Sequence, residues 1–381
     1  MAVPAGWFFH PQPRRVALSA AFVFFVNQVR RAALLSLLLA TAAGCGKDGP
    51  AKPVTPSPPT SGPAGRTFTN PLLPAGADPF VVQKDGFYYY LHTTYTDLRI
   101  WKTAKMSDLS FANPSIVWRP AATGAATGNL WAPELYFLDD KWYLYYSAGP
   151  AGNDLGRQRT WVLENSSPDP TQGTWVDKGR IFNPTEDFWA IDGTVLEQND
   201  KRYFIWSGHN GQDGIQRLYI SRMSNPWTLT GPRVELSRPE FAWENVGPPY
   251  VNEGPIILKR EGKTLLVYSA SFCGTDDYSL GLLTTSSTAD PLLASSWTKS
   301  AQPQFSKNAG SRAYAPGHNG FFKSKDGRED WLIYHANNNP GEGCFDKRNP
   351  RMQPFSWRPD GTPNFGTPVP INTPLARPGG E

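Results

Sequence analysis

At 381 residues, with 14 Trp, 15 Tyr and 21 Phe set among 35 Gly and 37 Pro, the chain is rich in strand formers and turn residues, which argues against a helical or α/β fold. Its formal charge of +4 belongs to Arg14, Arg15, Arg30 and Arg31, and the remainder is neutral. A neutral body without Lys/Arg clusters lacks the electrostatic footprint of a nucleic-acid binder, so no nucleic-acid partner is expected.

Residues 1–45 read as an export signal. Apolar runs at 16–26 and 32–43 each follow basic residues, and each is shorter than the ~18 residues of a spanning helix. The second run ends in Ala42-Ala43-Gly44-Cys45, which is similar to a bacterial lipoprotein cleavage box. Cys45 is therefore the expected lipidation site, and Gly46 after it points to the outer membrane. Membrane contact is expected through that anchor alone. Residues 46–66 are Pro-rich and nearly devoid of apolar side chains, so they cannot bury enough surface to fold and read as a tether. The folded domain is expected over residues 67–381, as a monomer.

Within that domain five segments repeat one plan: a polar lead residue in a Gly/Pro context, an apolar strand, a tight turn and an aromatic-rich strand. The leads are Asp78, Glu134, Asp192, Glu253 and His318, spaced 56 to 65 positions apart. Lys84-Asp85-Gly86, Asp139-Asp140, Asn199-Asp200, Glu261-Gly262 and Asp326-Gly327 supply the turns. Each repeat has room for about four short strands, the size of one propeller blade. The expected fold is all-β, a five-bladed β-propeller, whose packed blades bury faces that no single sheet could bury. The innermost strands then bring the five leads to one mouth of a central channel. Cys273 and Cys344 follow the second strand of adjacent blades, close together on that rim, and an oxidising compartment favours a disulfide between them.

Four carboxylates and a His about one axis would be costly as mere structure, because like charges repel and carboxylates are seldom buried unpaired. Trp131, Trp189 and Tyr250 each stand three residues before a lead carboxylate, where flat faces suit the C–H groups of a sugar ring. Crowding raises the pKa of one carboxyl, which supplies the general acid that glycoside hydrolysis needs beside a second carboxylate.

Ala77-Asp78-Pro79, Trp131-Ala132-Pro133-Glu134-Leu135, Ile191-Asp192-Gly193-Thr194, Val251-Asn252-Glu253-Gly254-Pro255 and Gly317-His318-Asn319, in this order and spacing, resemble glycoside hydrolase family 43 across the whole domain. Within that family, Tyr268-Ser269-Ala270-Ser271, Arg351-Met352-Gln353-Pro354-Phe355 and residues 361–366 look most like the exo-acting α-L-arabinofuranosidases. The resemblance implies an inverting mechanism with Asp78 as general base, Glu253 as general acid and Asp192 tuning that acid. It implies sugar contacts around Glu134, Asn252 and Arg351, and a metal, usually calcium, facing His318 and held largely through water. No organic cofactor is expected. The expected substrate is an arabinose-containing oligo- or polysaccharide. An endo-arabinanase or β-xylosidase of the same family is the nearer alternative. A sugar-binding lipoprotein without catalysis is the more distant one, and the joint presence of three carboxylates argues against it.

Overall fold

Turn chemistry seeds each sheet in the computed structural model of the chain, which describes residues 67–381 except Asn153 and Pro184. The export signal with Cys45 and the Pro-rich segment lie outside the described residues. At Asp85-Gly86, Asp139-Asp140, Asn199-Asp200 and Glu261-Gly262 both central residues have positive φ, the twist that two-residue hairpins require to match their flanking strands. These turns join Phe80–Lys84 to Phe87–Leu91, Gly128–Leu138 to Lys141–Gly149, Ala190–Gln198 to Lys201–Gly208, and Asn252–Arg260 to Lys263–Ala270. In the fifth unit a longer turn through Gly327 joins Tyr314–Lys323 to Asp330–Asn337. Two further antiparallel strands complete each unit, so five four-stranded sheets follow one another along the chain. They are the blades of a β-propeller. Among the described residues no helix is long and apolar enough to cross a membrane.

The second strands are apolar on both faces, because the period-two alternation serves two interfaces rather than an inside and an outside. In blade 4, Leu266 and Tyr268 join Ile205 and Ile220 of blade 3, whereas Leu265 and Val267 join Leu332 and Tyr334 of blade 5. Tyr89 and Leu91 of blade 1 pack with Trp142 and Leu144 of blade 2; Tyr88 and Tyr90 pack with Trp331 and Ile333 of blade 5. One apolar cluster fills each gap between blades. The core is thus a ring around the channel, and truncating one of its Leu or Ile side chains to Ala would cost about 2–5 kcal/mol.

The ring closes without a blade shared between its ends. Thr67–Phe68 pairs with Leu375–Ala376, and the chain then runs along blade 5, where Leu72 N–H donates to Pro350 O at 2.8 Å and Gly76 N–H to Arg348 O at 3.0 Å. The Asn70 side chain brackets Met352, donating to its carbonyl at 2.8 Å and accepting from its N–H at 2.9 Å. This closure delivers Asp78 to the side of blade 5.

Strand register corrects the expected equivalence of the leads. Asp78, Ala132, Asp192, Gly254 and His318 each stand two residues before the paired residues Phe80, Glu134, Thr194, Ile256 and Gly320. All five have positive φ, at 58°, 42°, 55°, 56° and 48°. Glu253 therefore precedes the left-handed position of its blade and Glu134 follows its own. Asp78, Asp192 and His318 are true equivalents; in blade 4 Glu253 lies one residue before the left-handed position, which changes the face its side chain occupies, and in blade 2 Glu134 lies two residues after it.

Candidate active site

Left-handed backbone at a buried non-glycine residue costs free energy and persists only when its surroundings enforce it. Here the enforcement is a ring of hydrogen bonds between blades. Opposite the residue preceding each left-handed position, the second strand presents Thr93, Ser147, Ser207, Ser269 or His335, all buried. Thr93 Oγ1 accepts the N–H of Ala132 at 2.8 Å and Ser147 Oγ that of Asp192 at 3.0 Å. Ser269 Oγ accepts the N–H of His318 at 2.7 Å, and His335 Nδ1 that of Asp78 at 3.0 Å. In the remaining gap Gly254 N–H donates to Asp192 Oδ2 at 3.0 Å, while Ser207 Oγ donates to Asn252 O at 2.9 Å. Glycine at 254 suits its φ of +56°, which the other blades reach with Asp, Ala and His, and it relieves a close approach: a Cβ would come 3.1 Å from His318 Nδ1.

The ring gathers Asp78, Asp192, Glu253 and His318 around a cavity of about 650 Å³. Trp131, Trp189, Leu155, Phe272 and Phe345 give it apolar walls. Trp189 is fixed by stacking on His209, with ring centres 4.5 Å apart, and by donating its Nε1–H to Leu155 O at 2.8 Å. Cys273 and Cys344, joined in a disulfide with Cα atoms 5.1 Å apart, form part of the rim.

Electrostatics set the carboxyls apart. Burial alone would raise the pKa of Asp78, but Arg348 Nη1 donates to its Oδ1 at 2.9 Å and His318 Nδ1 lies 3.3 Å from the same oxygen. Thr93 Oγ1 donates to Oδ2 at 2.6 Å. Arg348 first, and then His318, hold Asp78 well below the usual carboxylate range, so it is an anion at neutral pH. Glu253 has the opposite setting. Burial raises it to about 7 against the pull of Tyr278 Oη, which donates to Oε1 at 2.9 Å; the Asp78 charge raises it further and Arg348 opposes. Asp192 is also pushed well up, by burial first and then by Glu253 and Asp78, against the Gly254 N–H. Asp192 and Glu253 oppose each other's ionisation and titrate as a pair that retains a proton. One cavity thus offers an acid and a base at the same pH.

The other expected site residues fall outside this cavity or on its edge. Glu134 is buried between blades 2 and 3, where it accepts from Tyr136 Oη at 2.5 Å; that hydroxyl also meets Thr194 Oγ1 at 2.7 Å. Burial raises Glu134 to about 8, and its Oε1 has no partner. The Asn252 side chain engages Ser237 at 2.7 Å and Glu244 at 3.1 Å instead of the cavity. Tyr250 is 41% exposed beside the cavity-lining Pro249. Arg351 is fully buried and braces the loop before the third strand of blade 5, Asn349–Trp357, through Asn349, Asn338 and the carbonyl of Asn337. The arginine of the cavity is Arg348, just ahead of that strand. Tyr278 holds the matching place ahead of Ser279–Ser286 in blade 4. Third strands start at this mouth, so the residue before each of them was the signal that would have found both.

Among the described residues no group of three or more His, Cys, Asp or Glu side chains could hold a metal ion. His318 Nδ1 faces Asp78, and calcium takes six to eight oxygen ligands. The side chains present do not build a calcium shell, and no chemical step is assigned to one.

Residues 68–363 match the model of glycosyl hydrolases family 43. The chain is 39% identical over 345 residues to the extracellular exo-alpha-(1->5)-L-arabinofuranosidase of Streptomyces avermitilis, an alignment spanning 88% of this chain and 70% of that protein. It is 41% identical over 305 residues to the enzyme of the same name from Streptomyces chartreusis, spanning 79% and 90%. The crystal structure of an α-L-arabinofuranosidase from Lactobacillus brevis shares 37% identity at a TM-score of 0.75, over 80% of this chain and 98% of that one. Propeller, paired carboxyls and kinship agree: the chain is a glycoside hydrolase and belongs to glycosyl hydrolases family 43.

Proposed function

We propose that the protein is an inverting, exo-acting α-L-arabinofuranosidase that releases arabinose from arabinan or from arabinose-substituted plant polysaccharides. The observation that carries this reading is the opposed setting of two carboxyls in one cavity, Asp78 paired with Arg348 and Glu253 kept protonated toward pH 7 by burial. A water oxygen attacks the anomeric carbon while its proton passes to Asp78. The bond to the leaving oxygen breaks, and that oxygen takes the proton of Glu253. Asp192 holds the Gly254 N–H next to the acid, and its proximity helps keep the Glu253 proton in place. Trp131 and Trp189 offer faces for the sugar, and the names of the two Streptomyces relatives support arabinofuranose as that sugar.

The test follows anomeric protons by NMR as the purified protein turns over α-1,5-linked arabino-oligosaccharides. Early release of β-arabinose is expected. Initial α-anomer would refute inversion, and release of xylose from xylo-oligosaccharides without any arabinose would refute the sugar assignment. Those relatives are called extracellular, and we read this chain likewise as exported, with Cys45 as a lipid anchor in the outer membrane. Replacing Cys45 by Ser should move the protein from the membrane to the soluble fraction; unchanged membrane association refutes the anchor.

A further inference from the structure

Asp78 and Glu253 belong to different blades, yet one side chain touches the supports of both. His335, in the second strand of blade 5, is fully buried. Its Nδ1 accepts the N–H of left-handed Asp78 at 3.0 Å. Its ring lies 5° from parallel to that of Tyr278, with centres 5.7 Å apart, and Tyr278 Oη donates to Glu253 Oε1 at 2.9 Å. Tyr278 is confined from another side by Gly317, where a Cβ would come within 2.4 Å of the tyrosine ring. Gly317 is the residue that pairs with His335 in the hairpin.

The tautomer follows from the partner. A peptide N–H can only donate, so Nδ1 of His335 is the bare nitrogen and Nε2 carries the proton. Burial keeps the ring neutral by depressing its pKa to about 3. The Nδ1 atom 3.4 Å from Asp78 Oδ1 therefore makes no ion pair with it, and the charge on Asp78 is met by Arg348. His335 acts on Asp78 by holding its backbone.

The other blades show what would suffice for that task. They place Thr93, Ser147, Ser207 and Ser269 at this position, and hydroxyls there accept three of the left-handed N–H groups. An imidazole does one thing more: it provides a plane for Tyr278. We propose that His335 is a positioning residue that ties the base to the acid, through Asp78 N–H on one side and the Tyr278–Glu253 bond on the other. The proposal rests on the roles assigned to Asp78 and Glu253 above.

Two substitutions separate the two contacts. His335→Ser keeps an acceptor, as in the other blades, and removes the ring. His335→Phe keeps a ring and removes the acceptor. Each is assayed on α-1,5-arabinobiose, whose leaving sugar needs a proton, and on para-nitrophenyl α-L-arabinofuranoside, whose leaving group departs without one. His335→Ser should lose roughly tenfold or more in kcat on arabinobiose and far less on the aryl substrate, since only the acid is displaced. His335→Phe should lose similar factors on both, because both need the activated water, with KM moving less than kcat.

Equal losses on both substrates by both variants, in step with lost thermal stability, would overturn the proposal, as would unchanged activity in either variant. If Ser fails to fold, His335→Asn likewise keeps an acceptor without the ring and carries the acid test; if Phe fails, the difference between His335→Leu and His335→Asn, neither of which has a ring, isolates the acceptor and should be the same on both substrates. Glu253→Gln on the same two substrates separates the premises: equal loss there refutes the acid role of Glu253 instead of the role of His335. If the wild type cleaves neither substrate, the arabinose reading falls, and the same ratios are read on xylobiose and an aryl β-xyloside.

Discussion

Both ends of the innermost strands carry left-handed backbone, and the two ends acquire it for different reasons. At the hairpin end, Asp85, Asp140, Asn199 and Asp200 are exposed, and their positive φ is what a tight turn demands of residues that tolerate it. At the catalytic mouth, Asp78, Asp192 and His318 are buried, and their positive φ is imposed by acceptors from the neighbouring blade. Charge follows the same division. The hairpin end holds the larger groove, about 1030 Å³, but its Arg202 pairs with Asp139 at 2.9 Å and Glu197 at 2.7 Å. At the smaller mouth Asp78, Asp192 and Glu253 crowd together, and the one cation among the described residues that line the cavity, Arg348, pairs with Asp78 at 2.9 Å. Cavity size does not mark the working end. Strain and unbalanced charge, held in place by tertiary contacts, do.

The largest effect should come from the mouth. Asp78→Asn and Glu253→Gln should each lower kcat by about 10²- to 10⁴-fold; Glu253→Gln should leave the thermal midpoint near the wild-type value, and Asp78→Asn should lower it, because Arg348 loses its buried partner. Near-normal turnover in either would erase the contrast between the ends. Arg348→Met should come next. The wild-type kcat/KM profile should fall above a pH near 7, as the Glu253 pair loses its proton, and on the acid side only below the ordinary Asp value of about 3.9. Arg348 lowers the pKa of Asp78, so its loss should move the acid limb to higher pH, by about 1 to 3 units for a neighbouring cation. An acid limb that stays in place would show that Arg348 does not set the base.

Glu134 tests a buried carboxyl that belongs to neither end. Its folded pKa, about 8, lies above the unfolded value of about 4.3, so the folded state binds the extra proton. Wild-type stability should therefore be fully supported at low pH and decline as pH rises through 8. Glu134→Gln removes that decline, and its thermal midpoint should gain on the wild type as pH climbs from 5 to 9. A difference that does not vary with pH would refute the buried neutral carboxyl. The smallest effect belongs to the hairpin end: Asn199→Ala should cost about 1–2 kcal/mol of stability and leave kcat/KM untouched. A loss of activity there would mean that the two ends are coupled.

Much of this was legible before any coordinates. Asx-Gly turns and period-two apolar runs mark hairpins locally, and their recurrence at one interval specified five blades. Asp78, Asp192, Glu253 and His318 were legible as neighbours because each opens an innermost strand. Strand register was not, since a bulge leaves no period in the sequence; Glu134 reads as a residue of the mouth but lies buried between blades 2 and 3. Arg348 and Tyr278 carry no motif of their own in the sequence; only their place directly ahead of a third strand marks them. Arg351, three residues on from Arg348, had the familiar context but sits within the sheet.

The sequence by itself determined the blade count, the strand pairs and the carboxyls that could meet, because those depend on contacts short along the chain. Only the tertiary structure supplies the physical cause of the choice that the resemblance implies, Asp78 as anion and Glu253 as acid. That choice depends on Arg348, Tyr278 and Gly254, which reach Asp78, Glu253 and Asp192 across blades, except Tyr278, which comes from the blade of Glu253. Proton affinity follows distance through a low-dielectric interior, and distance along the chain says nothing of it.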